Sequence, residues 1–150
     1  MPESSVTRCA SWLRHSPGQL DEPAWLSRSI IDIIHADQIR QHGGSFGVRD
    51  EGLVRSALDR PRNRWAYDQT ADLADLAAAY AYGLAANHGF VDGNKRVAFM
   101  AAYTFLGLND HDLDASEPEV VLAMLDLAAG KLSEAQFAAW IRQNWRGLSD

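Results

Sequence analysis

The stretch "NHGFVDGNKRVAF", residues 87–99, is a dense polar cluster between two segments rich in alanine and leucine. The segment before it, "ADLADLAAAYAYGLAANHG", favours helix strongly, and we expect Thr70 to cap its N-terminus and Gly89 to end it. A second helix is expected from about Asn94 to Leu106. The buried face of the first helix is predicted to consist of Leu73, Leu76, Ala77, Tyr80 and Leu84. We therefore predict an all-α fold, a compact helical bundle with the polar loop between its two central helices.

Shorter helical patterns lie on both sides of this pair. A periodic apolar pattern that includes Trp25 begins at Pro23 and predicts a helix that Gly43 and Gly44 stop, while "RDEGLVRSALDRP" predicts a short helix ended by Pro61. The next stretch, "RPRNRWAYDQT", has no helical period and is interpreted as a loop or small hairpin. "SEPE" at 116–119 and "SEAQ" at 133–136 are capping boxes, each opening an amphipathic helix, and the last helix is expected to contain Trp140 and Trp145. Apart from that possible hairpin, no run alternates convincingly with period two.

The length of 150 residues suits one domain, which we place at residues 23–147. Residues 1–22 are interpreted as a loosely attached N-terminal arm and residues 148–150 as a tail. The net charge of -6 argues against a broad nucleic-acid-binding face. A single cysteine excludes an intramolecular disulfide and a cysteine-based metal site. Neither a signal peptide nor a stretch of membrane-span length is found, so we expect a cytoplasmic protein without a membrane partner.

The polar loop lies at the predicted start of a helix, where unpaired backbone N–H groups and the helix dipole attract anions. Gly93 lets the backbone approach a phosphate closely, and Asn94 adds a side-chain donor. Lys95 and Arg96 stand in the first helical turn, where positive charge is unfavourable unless an anion compensates it. This placement indicates a phosphate site.

Two further side chains of the loop suggest chemistry at that phosphate. Asp92 could hold Mg²⁺, which prefers one or two carboxylates together with phosphate oxygens, and His88 could take a proton from an attacking hydroxyl. Phe90 is expected to point the other way and to pin the loop to the core. Taken singly, His88 and Asp92 would be helix caps, and Lys95 and Arg96 a solvated face. Their coincidence favours a site for a magnesium-bound nucleotide beside a general base.

"HGFVDGNKR", residues 88–96, resembles the signature loop of the Fic/Doc family, HxFx(D/E)GN(G/K)R. It is most similar to the death-on-curing (Doc) branch, because Lys95 stands where Fic enzymes carry Gly. The likeness extends over Trp25 to Asn144. The resemblance implies a compact helical fold that uses Mg²⁺ and ATP. It also implies a toxin of a type II toxin–antitoxin system, silenced by a small antitoxin on a separate chain.

The resemblance also implies roles for individual residues. His88 would be the catalytic base, Asp92 the Mg²⁺ ligand and Phe90 the loop anchor. Gly93 and Asn94 would line the anion hole, while Lys95 and Arg96 would contact phosphates of ATP. The stretch from about Arg62 to Thr70 would be the flap that docks the target, with Arg64, Trp65 and Tyr67 as its docking residues.

Three departures from the family pattern bear on function. Gly89 replaces a common proline, so we expect a less rigid loop. Phe99 stands where Fic enzymes carry a second arginine, which makes AMP transfer less favourable. The internal inhibitory motif (S/T)xxxE(G/N) is absent, since the only Glu-Gly or Glu-Asn pair is Glu51-Gly52 and the residue four before it is Gly47. The inhibitor is therefore expected on another chain.

The leading hypothesis is a Doc-like toxin that transfers the γ-phosphate of ATP to a threonine hydroxyl of a translation factor such as elongation factor Tu. The alternative within the enzyme class is a Fic-type adenylyltransferase, which transfers AMP to a protein hydroxyl. A non-catalytic helical module that binds a nucleotide or partner is the second class. A toxin that cleaves RNA is disfavoured by the acidic charge.

Overall fold

The computed structural model describes residues 19–148. The helices are α1 (Arg28–His42), α2 (Glu51–Tyr67), α3 (Leu73–Asn87), α4 (Asn94–Leu108), α5 (Glu117–Ala128) and α6 (Glu134–Asn144). The predicted helical bundle is confirmed, with α3 and α4 at its centre. The predictions for residues 1–18 and 149–150 lie outside the described residues. Within the part that the structure describes, no helix combines the length and hydropathy that a bilayer crossing needs.

Helix α3 is buried along almost its whole length, with ten of its fifteen residues inaccessible to solvent. It packs against α2, α4 and α6. Its small side chains allow close approach, and a Cβ on Gly83 would lie 3.1 Å from the Cα of Ala57 on α2. The hydroxyl of Tyr80, fully buried on α3, accepts a hydrogen bond from the Leu26 N–H at 3.0 Å. Of the predicted buried face, only Leu73 is partly accessible.

The start of α3 differs from the prediction, since Asp72 is the N-cap in place of Thr70. The Asp72 carboxylate accepts the Asp75 N–H at 2.9 Å and two hydrogen bonds from Arg142 on α6. Partial burial raises the pKa of Asp72, but the Arg142 and Asp75 hydrogen bonds outweigh it and keep that pKa below its usual value. Thr70 donates instead to Asp68. Asp72 and Asp75 form a reciprocal capping box, and Arg142 adds a contact from α6.

Helix α1 begins later than predicted. Ser27 caps it by accepting the Ile30 N–H, so Trp25 and Leu26 lie in an extended segment before the helix. The Leu26 N–H donates to the Tyr80 hydroxyl, which holds this segment against α3. The predicted stop at Gly43 is confirmed, with φ of 81°.

Helix α2 continues through Pro61 to Tyr67, so the predicted short helix and the predicted loop or hairpin are both wrong. A proline inside a helix costs about 3 kcal/mol because it removes a hydrogen bond and crowds the preceding turn. Arg60 and Arg64 lie on either side of Pro61, and both bind Glu134 on α6, at 2.7 and 3.3 Å. Pro61 itself is buried.

The C-terminal part contains two short antiparallel strands, β1 (His111–Leu113) and β2 (Trp145–Gly147). The sequence pattern did not predict β1 and β2. The prediction of Trp145 in the last helix is wrong, since Trp145 begins β2. Three residues are too few to show a period-two alternation, which explains why the pattern gave no signal. The capping box at Ser133 is confirmed, whereas Ser116 caps α5 only through its own hydroxyl, which accepts the Glu119 N–H.

Candidate active site

The polar loop, residues 88–93, joins the end of α3 to the start of α4, and we call it the motif loop. The helix before it ends at Asn87, and His88, not Gly89, takes the C-cap position with φ of 51° and ψ of 48°. This left-handed conformation costs a residue with a Cβ about 1–2 kcal/mol. Gly93, with φ of 79°, leads into α4. The motif loop therefore opens on a strained histidine.

The motif loop pairs with residues 43–50, which connect α1 to α2 and which we call the paired segment. Val48 and Phe90 form an antiparallel bridge, and the Val91 N–H donates to the Gly47 carbonyl at 3.1 Å. Sequence reasoning missed this segment. Its only local signal is the glycine content of "GGSFGVRD", where Gly44 and Gly47 have φ of 116° and 122°.

Gly89 is the point at which the motif loop comes closest to α2. A Cβ at this position would lie 2.5 Å from Val54 Cγ2 and 3.0 Å from the Val54 backbone nitrogen. The Gly89 carbonyl also accepts the N–H groups of Arg49 and Asp50, at 2.8 and 3.0 Å. Gly89 therefore allows the motif loop to lie directly against α2, where a larger residue would not fit.

Phe90 and Asn94 hold the motif loop from inside. Phe90 is 2% exposed, and its ring stacks on the His35 imidazole at a centroid distance of 4.1 Å. The Asn94 amide accepts the Phe90 N–H and donates to the Phe90 carbonyl, each at 3.0 Å. Oδ1 and one of the two Nδ2 hydrogens are thus engaged within the loop, which leaves the second Nδ2 hydrogen for another acceptor. Asn94 therefore shapes the loop.

Asp92 presents an exposed carboxylate that is oriented by two backbone amides. Oδ1 accepts the Gly93 N–H at 2.9 Å and Oδ2 accepts the Ser45 N–H at 3.2 Å. The Asp92 carbonyl accepts a hydrogen bond from Nε2 of His35 at 2.9 Å. His35 on α1 is 5% exposed, and sequence reasoning gave it no role. The only sequence feature that predicts its burial is its position four residues from both Ile31 and Ile39, which are buried on the same face of α1.

Positive charge and free N–H groups lie at the start of α4. The first turn of α4 has no side-chain cap, so its N–H groups face outward as an anion site. Lys95 is exposed, and Arg96 is half-buried with Nη2 at 3.2 Å from the Gly43 carbonyl. His88 is exposed, and its imidazole has no hydrogen-bond partner among residues 19–148. Residues 88–96 thus bring together the His88 imidazole, the Asp92 carboxylate and the uncapped start of α4.

A self-contained metal centre is not found in the described part of the chain, where no three His, Cys, Asp or Glu side chains cluster suitably. A magnesium ion at Asp92 would need phosphate oxygens as its other ligands. The Asp92 carboxylate fits that use, because it is exposed and two backbone bonds leave lone pairs free.

The predicted flap residues do not lie at the motif loop. Arg64 pairs with Asp68 and with Glu134 at the start of α6, and it lies 3.8 Å from Asp75 in the first turn of α3. The motif loop follows the other end of α3, about 18 Å away along the helix. Trp65 donates to the Leu20 carbonyl, which attaches the described part of the predicted arm, and Tyr67 is 87% exposed. The paired segment, not residues 62–70, is the connector beside the loop.

A groove of about 500 Å³ lies beside the motif loop between α4 and α5. Its walls are mainly apolar, and Lys95, Arg96 and two α1 side chains, Gln38 and His42, also line it. Phe99, where an arginine stands in many Fic enzymes, lines the groove. The apolar wall is formed by Phe99, Met100, Tyr103, Val120, Val121, Met124 and Leu125.

Comparison with known proteins agrees with this arrangement. Residues 25–106 match the model of the Fic/DOC family, a span that includes the motif loop and the paired segment. Toxin Doc of Mycolicibacterium smegmatis is 41% identical over 118 residues, which cover 72% of this chain and 90% of that protein. Protein kinase doc of Escherichia phage P1 is 32% identical over 118 residues, which cover 79% of this chain and 93% of that protein.

Proposed function

This chain belongs to the Fic/Doc family and is a Doc-like toxin. From this premise we propose that it transfers the γ-phosphate of ATP to a hydroxyl group of a translation factor. Elongation factor Tu, through a threonine, is the proposed target. The observation that supports this best is the exposed His88 imidazole, free of partners among the described residues and within the same loop as the Asp92 carboxylate.

The start of α4 would bind the phosphates of ATP. Its uncapped N–H groups, the Gly93 backbone and the side chains of Lys95 and Arg96 offer donors and positive charge to the phosphate oxygens. Asp92 would hold the Mg²⁺ that accompanies ATP, and this ion would neutralise charge on the phosphates. Asn94 contributes by fixing the shape of the loop.

His88 would act on the attacking hydroxyl. Its imidazole takes the proton as the hydroxyl oxygen forms a bond to the γ-phosphorus, and the bond from that phosphorus to the β–γ bridging oxygen breaks. ADP leaves with the electron pair of that bond. Lys95 and Arg96 offset the charge that develops on the transferring and leaving groups.

The exposed paired segment would present the target to His88. Phe46 is 59% exposed and Val48 is also exposed, so the segment offers apolar contacts beside the motif loop. An extended target peptide could add to this segment as a strand, which is a common mode of peptide recognition. This proposal replaces residues 62–70 as the docking element.

ATP labelled on either the α- or the γ-phosphate distinguishes the two transfer reactions. We expect elongation factor Tu to retain the γ-label in the presence of the protein and Mg²⁺, and to retain no α-label. Lys95, which stands where Fic enzymes carry Gly, supports the choice of γ-transfer. Phe99 also supports it, because this chain lacks the second phosphate-binding arginine that Fic enzymes carry at that position. Removal of Mg²⁺ with a chelator is the control and should abolish labelling.

The same assay separates the alternatives. Retained α-label on the factor would support the adenylyltransferase and contradict phosphate transfer. Absence of both labels, together with full toxicity of a His88→Ala variant, would support a non-catalytic module. RNA loss without a modified protein would support an RNA-cleaving toxin.

The groove between α4 and α5 is the proposed docking site for the antitoxin. Val121 and Leu125 on α5 are about half exposed, and Lys95 and Arg96 lie in the same groove. An amphipathic helix with apolar residues and one acidic residue would match both features. Because Lys95 and Arg96 are also proposed phosphate contacts, such a helix would compete with ATP.

We expect Leu125→Asp to weaken antitoxin binding at least about tenfold and to leave phosphate transfer intact. Burying a leucine is worth about 1.5–3 kcal/mol, and 1.4 kcal/mol corresponds to a factor of ten in affinity. Titration calorimetry with the purified antitoxin measures the change. Leu108→Asp is the matched control, since Leu108 is similarly exposed but does not line the groove. Equal affinities for wild type and Leu125→Asp would place the antitoxin elsewhere.

A further inference from the structure

Three consecutive carbonyl groups at the end of α3 accept hydrogen bonds from the paired segment. Nε of Arg49 donates to the His88 carbonyl at 2.7 Å, and Nη2 donates to the Asn87 carbonyl at 3.2 Å. The backbone N–H groups of Arg49 and Asp50 donate to the Gly89 carbonyl. One arginine therefore contacts the backbone on both sides of His88.

This contact supplies what α3 lacks at its C-terminus. The last carbonyl groups of a helix have no partner within it, and a cation there also compensates the negative end of the helix dipole. The last turn of α3 has no basic residue of its own. The Arg49 guanidinium, which reaches in from the connector between α1 and α2, takes that position.

The same contact bears on the strained backbone of His88. A residue with a Cβ keeps left-handed dihedral angles only when its surroundings impose them. The direction of the His88 carbonyl depends on ψ of His88, so the 2.7 Å bond to Arg49 holds that dihedral angle at 48°. Fixing the backbone at His88 also fixes the direction in which its Cβ and imidazole leave the chain.

We infer that Arg49 is a positioning residue of the active site, which keeps the His88 imidazole in place by holding the carbonyl groups of Asn87 and His88. Arg49 acts through the backbone of His88, by way of its bonds to the Asn87 and His88 carbonyl groups. The inference rests on the proposed role of His88 as the base. It adds a residue that lies outside the signature loop.

The first test compares Arg49→Ala with Arg55→Ala. Arg55 is an exposed arginine on α2 whose guanidinium pairs with Glu51 at 2.8 Å, so its removal costs a similar surface contact away from the motif loop. For Arg49→Ala we expect kcat for phosphate transfer to fall about tenfold or more, because small misplacements of a catalytic group are costly, and KM for ATP to stay within about twofold. Arg55→Ala should keep the wild-type kcat. Equal kcat values for wild type and Arg49→Ala, or an equal loss in Arg55→Ala, would overturn the inference.

Added guanidinium provides a second readout that general destabilisation would not produce. At millimolar concentration, far below denaturing conditions, guanidinium should restore part of the kcat of Arg49→Ala and none of the kcat of His88→Ala. Arg49→Lys should lie between wild type and Arg49→Ala, because an ammonium group reaches one carbonyl but lacks the planar pair of donors. Positioning by the guanidinium would be contradicted if added guanidinium failed to raise the kcat of Arg49→Ala and Arg49→Lys had the same kcat as Arg49→Ala.

The imidazole can also be followed without any transfer assay. The ring signals of His88 in NMR spectra, assigned by their loss in His88→Ala, should shift or broaden in Arg49→Ala and stay unchanged in Arg55→Ala. Unchanged signals in Arg49→Ala would overturn the inference even if the wild type transfers no phosphate. Shifted signals without transfer by the wild type would instead reject the proposed function and keep Arg49 as the residue that places His88.

Discussion

His88→Asn should lower phosphate transfer about a thousandfold while the protein stays as stable as the wild type or becomes more stable. A positioned general base contributes roughly 10²–10⁴-fold to a rate, and an asparagine amide cannot take up the proton. The fold does not depend on the imidazole, which is exposed and makes no hydrogen bond to the described residues. Asparagine also tolerates the left-handed conformation at position 88 better than most residues, so the strain should not increase.

The measurement combines the γ-label assay with thermal unfolding. His88→Ala is the companion variant and should be equally inactive, with a melting temperature close to that of the wild type. Transfer by His88→Asn at the wild-type rate would show that another group accepts the proton. A marked loss of stability in both variants would show that the imidazole supports packing, contrary to its exposure in the structure.

Gly89→Ala should be the most damaging substitution of a glycine in the motif loop. A methyl group would come within 2.5 Å of Val54 Cγ2 and 3.0 Å of the Val54 nitrogen, so the loop or α2 must shift. Overpacking of this kind lowers the free energy of unfolding by about 1–3 kcal/mol. Since Gly89 follows His88 directly, we also expect transfer to fall about a hundredfold, the cost of moving a catalytic group by about 1 Å.

Chemical denaturation and the transfer rate measure the two effects of Gly89→Ala. Gly107→Ala on α4 is the matched control, because a Cβ there meets nothing within 4 Å and alanine favours helix. In the double variant Gly89→Ala/Val54→Ala the nearest clash is removed while the contact with the backbone nitrogen remains. We therefore expect the double variant to recover part of the transfer rate that Gly89→Ala loses. Equal stability of Gly89→Ala and Gly107→Ala would contradict the close approach to α2.

The sequence predicted well those features that depend on neighbours along the chain. The two apolar helices, the loop between them and the stop at Gly43 all rest on local periodicity and composition. One error arose where distant residues bear on the local structure. Arg60 and Arg64 on α2 bind Glu134, and partners separated by about 70 residues leave no trace in a local pattern. The start of α3 was missed although its pattern is local, since Asp72 and Asp75 form a capping box.

The site shows the same division. The signature loop is one continuous stretch, so its chemical groups could be found from the sequence. The groups that hold the loop lie elsewhere, because His35 and Arg49 contact Asp92 and His88 across 57 and 39 residues. The hydrogen bonds between the Asn94 amide and the Phe90 backbone also depend on the folded loop, and no sequence pattern indicated them.

The burial of α3 has a consequence for the stage of translation at which the protein can become active. This helix leads directly into His88, and one of its sides is covered by α6, which is translated after the motif loop. A chain that ends before Phe137 and Ile141 would leave the α6-facing side of α3 exposed to water, and no α6 would pack against it to hold α3 in place. Products truncated before α6 would accordingly be inactive.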